Sequence, residues 1–268
     1  MSSTKPLPPR VIAALHLPDP VRRPGLSMAY LEDYVLANAG VFADAGIPAI
    51  KLQDQTRCIG PASPLTIATM AALGRLLRKE YPQVTLGIIL QAHDGEGPLV
   101  VARASGASFV RLKVFVGSVG GAEGPKYGLA VTARACRVAI GATDVAIHAD
   151  VHDRTTIPSD GASLEQSAEW AVSMGADSLV LTGSSFADSL DRIRRVRAAG
   201  IKVPVLLGGG VTTANVTEAL ASADGVVVST ALMLKDGARL GPVIWDIDQC
   251  RRFMDAVRTS SNLRAAGT

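Results

Sequence analysis

Apolar and polar positions alternate in two different periods along this chain, and the periods take turns. Short apolar runs of strand length fall at 11–16, 47–53, 85–91, 108–114, 144–151, 178–182, 203–208 and 225–229. Between and after them lie amphipathic stretches of helical period, near 28–45, 64–80, 96–105, 128–140, 163–174, 187–199, 213–222 and 247–258. Start signals support several helices. Ser63 followed by Pro64 is an N-cap with proline at the first helical position. Ser163-Leu-Glu-Gln166 has capping-box form, and Thr212 or Thr213 is expected to cap the seventh helix. Gly46, Gly106, Gly175 and Gly200 each end a helix just before a strand, where a left-handed residue is wanted. Eight strand–loop–helix units in about 250 residues predict one (β/α)₈ TIM barrel over 10–258, with tails at 1–9 and 259–268. A doubly wound open sheet is the rival, but its glycine-rich loop would follow an early strand, and here the glycines cluster after the seventh.

Composition narrows the class. Of 268 residues 48% are hydrophobic and only 4% aromatic, which predicts a large aliphatic core. A net charge of +3 is too small to argue for nucleic acid. No apolar run is long enough to span a bilayer, and the N-terminal residues lack a signal-peptide pattern. Cys58, Cys136 and Cys250 are odd in number and widely spaced, which fits a reducing cytoplasm better than a disulfide framework. The aliphatic helices leave room for a homo-oligomer.

Candidate chemistry gathers where each strand ends. His16 closes the first strand; Lys51, Gln53 and Asp54 belong to the second; Gln91, His93 and Asp94 follow the third. Arg111 and Lys113 lie on the fourth, His148, Asp150 and His152 on the fifth, and Thr182 on the sixth. Strand alternation sets Ala146, His148, Asp150 and His152 on one face, with Val145, Ile147, Ala149 and Val151 on the other. In a barrel the polar faces meet at the axis, so His16, Lys113, Asp150 and His152 are the expected catalytic set. Gln53, Asp54, Gln91, His93 and Thr182 are the expected substrate contacts. Lys51 and Arg111 also suit buried ion pairs of the barrel interior, and His148 suits a core histidine. Lys113 is read as a charge clamp, with a Schiff-base amine as the alternative.

Two glycine-rich stretches differ in promise. Gly208, Gly209 and Gly210 run from the seventh strand toward a helix, and Ser229 and Thr230 end the eighth strand beside them. Bare amides and hydroxyls there predict a phosphate cradle, as in barrels that bind ribulose phosphate. Residues 117–128 form a long glycine-rich connection that suits a lid.

The residues also resemble a known family. Val11-Ile-Ala-Ala-Leu-His16-Leu-Pro18, Ala149-Asp150-Val-His152, Leu179-Val-Leu-Thr182-Gly183 and Pro204-Val-Leu-Leu-Gly-Gly-Gly-Val-Thr-Thr-Ala-Asn215 are similar to motifs of the BtpA/SgcQ family of (β/α)₈ proteins. Ala223-Asp224-Gly-Val-Val-Val-Ser229-Thr230, Lys235-Asp236-Gly237 and Arg251-Arg-Phe253-Met match as well, so the resemblance spans 10–257. It departs from the family pattern at Gln53-Asp54 (usually Glu-Asn), at Ala92-His93-Asp94 (usually Arg-Asn-Asp), at Lys113 (usually Asn) and at Asp153-Arg154-Thr155 (usually basic). The resemblance implies a divergent member with a rebuilt pocket.

Three functions are therefore expected, in this order. The first is an enzyme of lyase, isomerase or glycosyl-transfer type, using acid–base chemistry on a small phosphorylated metabolite without a cofactor. The second holds a divalent metal, zinc or manganese by ligand type, on His16, Asp150 and His152, with His93 as a further ligand. The third is a non-catalytic assembly or regulatory factor, the photosystem I biogenesis role that the family name implies.

Overall fold

The computed structural model describes residues 7–234 and 242–266. The Lys235-Asp236-Gly237 stretch and most of the N-terminal tail lie outside the described residues. Eight parallel strands close into a barrel: β1 (Val11–His16), β2 (Ala49–Gln53), β3 (Thr85–Ile89), β4 (Phe109–Leu112), β7 (Ala146–Val151), β9 (Ser178–Leu181), β10 (Val205–Leu207) and β11 (Gly225–Val228), with β11 pairing back onto β1. Helices alternate with them: α1 (Met28–Asp44), α2 (Pro64–Glu80), α3 (Gly97–Ser105), α4 (Ala130–Ala139), α5 (Leu164–Ser173), α6 (Phe186–Ala198), α7 (Val216–Ser222) and α8 (Ile247–Ala266). No helix among the described residues is long and apolar enough to cross a membrane.

Local signals account for most of these boundaries. The Ser63 hydroxyl accepts from the Thr66 amide with Pro64 opening α2, and Ser163 and Gln166 form a complete capping box at α5. Gly46, Gly106, Gly175 and Gly200 all take positive φ, between 77° and 92°. Two expectations are corrected. Neither Thr212 nor Thr213 caps α7, which starts only at Val216. The Asn215 side chain instead accepts from the Thr212 amide and donates to the Gly210 carbonyl, holding the preceding loop out of the helix. The last helix also runs past its expected end at 258, because α8 continues through Ala266.

Alternation sorts the strand residues into two cores. Ile50, Leu52, Ile88, Val110, Leu112, Ile147, Ala149, Leu179 and Leu181 face outward and are buried against the helices. Ile12, Ala14, Ala49, Phe109, Ala146, Val180, Leu206 and Val227 face the axis and fill the lower barrel. The Phe109 ring stacks on His148 at 4.4 Å between centroids, with the two planes nearly parallel. That ring fits because Gly87 lies beside it; a Cβ there would sit 2.0 Å from Phe109 Cε2. His148 is thus a core histidine of the barrel floor.

The connection at 117–128 is not a simple loop. Its residues form a hairpin of β5 (Ser118–Gly121) and β6 (Gly124–Tyr127), and β5 also pairs with β8 (Ile157–Pro158). Three ties hold it down: Arg57 to Glu123 at 3.1 Å, His93 to the Tyr127 carbonyl at 2.8 Å, and the Ser118 amide to Asp160 at 2.8 Å.

Gly87→Ala should test the barrel floor directly. The added methyl forces Phe109 off its position over His148, and overpacking of this kind costs about 1–3 kcal/mol. Urea unfolding should show that loss, and an unchanged midpoint would mean that the floor is loosely filled.

Candidate active site at the barrel mouth

Above the apolar floor the inward positions turn polar, and the strand ends enclose a cavity of about 510 Å³. Its lining includes His16, Lys51, Gln53, Gln91, Arg111, Lys113, Asp153, Arg154 and Thr182, together with the Gly208–Gly210 and Ser229–Thr230 segments. Arg111, Lys113 and Arg154 are cationic and Asp153 is the carboxylate, so positive charge prevails even without Lys51.

Arg111 anchors this layer. From β4 its Nε and Nη2 donate to the two Asp150 carboxylate oxygens on the neighbouring β7, at 2.9 and 2.7 Å. Asp153 lies 4.0 Å from the same Nη2. The Asp150 side chain is fully buried. Burial pushes its carboxyl up while Arg111 pulls it back toward the charged form, and the guanidinium itself is held above its usual range by Asp150 and Asp153 against the cost of burial. Asp150 therefore points into the barrel but beneath the cavity, with both oxygens engaged.

The expected pairing of Asp150 with His152 on one face fails. The β7 ladder ends at Val151, and His152 takes φ 51°, in the left-handed region that non-glycine residues rarely occupy. Arg192 of α6 clamps the His152 carbonyl at 2.7 Å, and the ring Nε2 lies 3.0 Å from the Ser167 hydroxyl on α5. The turn sends the His152 ring into a small side cavity, which Asp150 also lines, and brings Asp153, Arg154 and Thr155 to the main one. His16, Asp150 and His152 are thus not gathered as a metal triad. Among the described residues there is no cluster of three His, Cys, Asp or Glu able to hold a metal ion.

Other expected residues divide in the same way. Gln53, Gln91 and Thr182 line the cavity. Asp54 does not: its oxygens accept from the Gln91 and Thr56 amides, at 2.6 and 2.9 Å, tying the ends of β2 and β3 together. His93 is turned to the hairpin, and Asp94 accepts from the Glu96 and Gly97 amides at the start of α3 and from the Ala62 amide just before α2. Lys113 is half-buried and faces Asp153 and Asp150, whose charges oppose the lowering that burial imposes on its amine. Burial also works against the Asp153 charge, but the Thr155 hydroxyl and amide, with Arg111, hold its carboxyl below the usual range. Sequence reasoning did not select Asp153, Arg154 or Thr155; the signal was their departure from the family pattern.

The glycine loop sits against this layer. A Cβ on Gly208 would lie 2.1 Å from Thr182 Oγ1 and 3.3 Å from Arg111 Nη2, so only glycine lets the backbone come this close. Gly208 offers no amide, however, because its N–H donates to the Leu181 carbonyl at 2.8 Å. The anion donors available there are Gly209 and Gly210, the latter at φ 77°. Beside them Ser229 precedes a 3₁₀ turn, Thr230–Leu232, whose first amides have no acceptor within the turn. Thr182 Oγ1 is buried and has no hydrogen-bond partner, although it lines the cavity.

Two expected outcomes follow from these charges. Asp150→Asn leaves the buried Arg111 without its counter-charge and should lower unfolding stability by roughly 3–5 kcal/mol. Asp153→Asn should lower it far less, and equal losses in denaturant titration would contradict the primacy of the Arg111–Asp150 pair. Histidines supply the second. Burial, then Lys51 and Arg111, push His16 down to about 4, and burial takes His148 down to about 3, from an ordinary 6.5. Both rings bind fewer protons folded than unfolded, so stability should fall as pH drops below about 6.5 and go on falling to about 4 for His16 and about 3 for His148. His148→Gln should flatten that slope; an unaltered slope would assign the acid sensitivity to carboxylates.

The comparisons with known proteins agree with this architecture. Residues 9–259 match the model of the BtpA family. An uncharacterized mitochondrial protein of Caenorhabditis elegans is 27% identical, over 86% of both chains. The photosystem I biogenesis protein BtpA of Synechocystis is 25% identical, over 83% of this chain and 78% of its own. Among solved structures, native KDPGal superposes with a TM-score of 0.59 at 18% identity, covering 98% of this chain and all of that one. Phosphoribosyl anthranilate isomerase from Thermus thermophilus gives 0.51 at 17% identity, covering 93% and 98%. Those likenesses show the barrel alone, whereas the match over nearly the whole sequence shows the lineage: the chain belongs to the BtpA family.

Proposed function

We propose that this protein is an enzyme acting on a small phosphorylated metabolite at the carboxyl-terminal mouth of its barrel. The observation that carries the reading is a convergence on one wall of the cavity. The Gly209 and Gly210 amides, the unpartnered Thr182 hydroxyl and the turn after Ser229 line the same cavity, and Arg111 comes close to the loop at Gly208. Such a wall offers several uncharged N–H and O–H donors with a cation behind them, the recurrent chemistry of phosphate sites in barrels of this kind. The phosphoryl group rests on Gly209, Gly210, Ser229 and Thr230, with Thr182 as a further donor. Lys113 and Arg154 add positive charge across the cavity.

The reacting part of the substrate then meets His16, Asp153 and Lys113. The neutral His16 ring accepts a proton, the ionised Asp153 does the same or stabilises developing positive charge, and Lys113 clamps negative charge. Asp150 acts through Arg111 by fixing the guanidinium. A lyase or isomerase acting on a sugar phosphate or related intermediate suits this set of groups. The neighbour named phosphoribosyl anthranilate isomerase carries the same fold, and its name supports the substrate class.

Calorimetric titration with inorganic phosphate tests the reading. The protein should bind it, and Gly209→Asp should weaken binding at least about tenfold through charge repulsion. An added Cβ at Gly209 meets only Thr182 Cγ2, at 3.9 Å, so the variant should fold. Unchanged affinity in a folded Gly209→Asp protein would move the phosphate site elsewhere.

A further inference from the structure

One basic group in the cavity is buried with no carboxylate beside it. Lys51 projects inward from β2, one step above Ala49 of the apolar floor and one step below Gln53. Its register partners on either side are Ala14 and Gly87, so little side-chain bulk flanks it at its own level. The residue is only 3% exposed. Its Nζ donates to Gln53 Oε1 at 2.9 Å, and among the described residues no carboxylate lies within ion-pair distance. Both oxygens of the nearest buried acid, Asp150, are taken by Arg111. A lysine kept for structure alone is normally set beside an acid, because a buried ammonium without one is strongly disfavoured.

We propose that Lys51 is an imine-forming amine, and that the metabolite held in the cavity is a phosphorylated aldehyde or ketone. The proposal rests on the phosphate reading above and extends it to the other end of the substrate. Burial first, then Arg111 and Lys113, drive the amine toward its neutral form, while Asp150 and Asp153 oppose them from further away. A neutral amine is the nucleophile that carbonyl addition requires. Its nitrogen lone pair bonds to the carbonyl carbon, the C=O π pair moves to oxygen, and a proton lost by nitrogen is taken up by that oxygen. Departure of the oxygen as water, with loss of the second N–H proton, leaves the C=N bond. His16 lines the same cavity as a neutral ring, suited to carrying these protons. No oxidant or reductant is needed. Lys113 is a poorer candidate because it faces Asp153 and Asp150 from a half-exposed position.

Reductive trapping tests this. Glycolaldehyde phosphate and borohydride are added to the full-length protein, with unphosphorylated glycolaldehyde as a parallel arm, and modified lysines are mapped by peptide mass spectrometry. Thermal shift with inorganic phosphate is read alongside. Lys51 should be modified at least ten times more than any other lysine, faster by the phosphorylated aldehyde, and more slowly when inorganic phosphate is present. Lys51→Met should abolish that modification while phosphate still raises the melting temperature. If phosphate stabilises the protein but the label falls on Lys113 or spreads evenly, the role of Lys51 is overturned and the phosphate reading stands. If Lys51 is labelled equally by both aldehydes and phosphate neither stabilises nor protects, the amine is confirmed as a nucleophile and the phosphorylated substrate is overturned.

Discussion

The buried pair between Arg111 and Asp150 is the constraint on which the mouth of this barrel depends. Both charges lie out of water, and each is tolerable only because the other is held in two-point contact across adjacent strands. That contact fixes the guanidinium under the cavity and beside Gly208, whose missing side chain leaves room for it. It also engages both carboxylate oxygens of Asp150. Every other cation of the mouth must then be balanced by Asp153, by solvent or by a ligand. A cavity arranged in this way is short of negative charge, and the phosphorylated substrate proposed above would supply what is missing.

A second consequence concerns layering. The floor of Phe109, His148, Val180 and Leu206 is packed from buried side chains, and the next inward positions are Lys51 and Arg111. Electrostatic effects are stronger at that depth than at the rim. In this layer Arg111 has a carboxylate and Lys51 has an amide oxygen, and the role proposed for Lys51 rests on that difference.

Much of this was legible in the sequence. Strand periodicity and the glycines after four of the helices identified the barrel, and alternation separated Val145, Ile147, Ala149 and Val151, now in the outer core, from the inward face. It also brought His16, Gln53, Gln91 and Thr182 to the cavity wall. Alternation holds only as far as the hydrogen-bonded ladder runs, and at His152 the ladder has already stopped. A left-handed residue imposed by Arg192 from a distant helix leaves no local mark, so the side chain expected in the mouth is replaced there by its neighbour Asp153. Pairing was hidden for a related reason. Whether Arg111 or Lys51 would take Asp150 depends on which strands are neighbours and in what register, which a single strand does not contain. The hairpin at 117–128 was obscured by its composition, since glycine is a poor strand residue in isolation. There the pairing with β8 and the ties to Arg57 and Asp160 outweigh local preference.

A crystal structure of the protein grown with ribose 5-phosphate tests the central claim most directly. The account predicts a phosphoryl group within hydrogen-bond distance of the Gly209 and Gly210 amides and Thr182 Oγ1, with its sugar directed toward His16 and Lys51. A phosphoryl group bound at another surface, with these donors left to water, would contradict it.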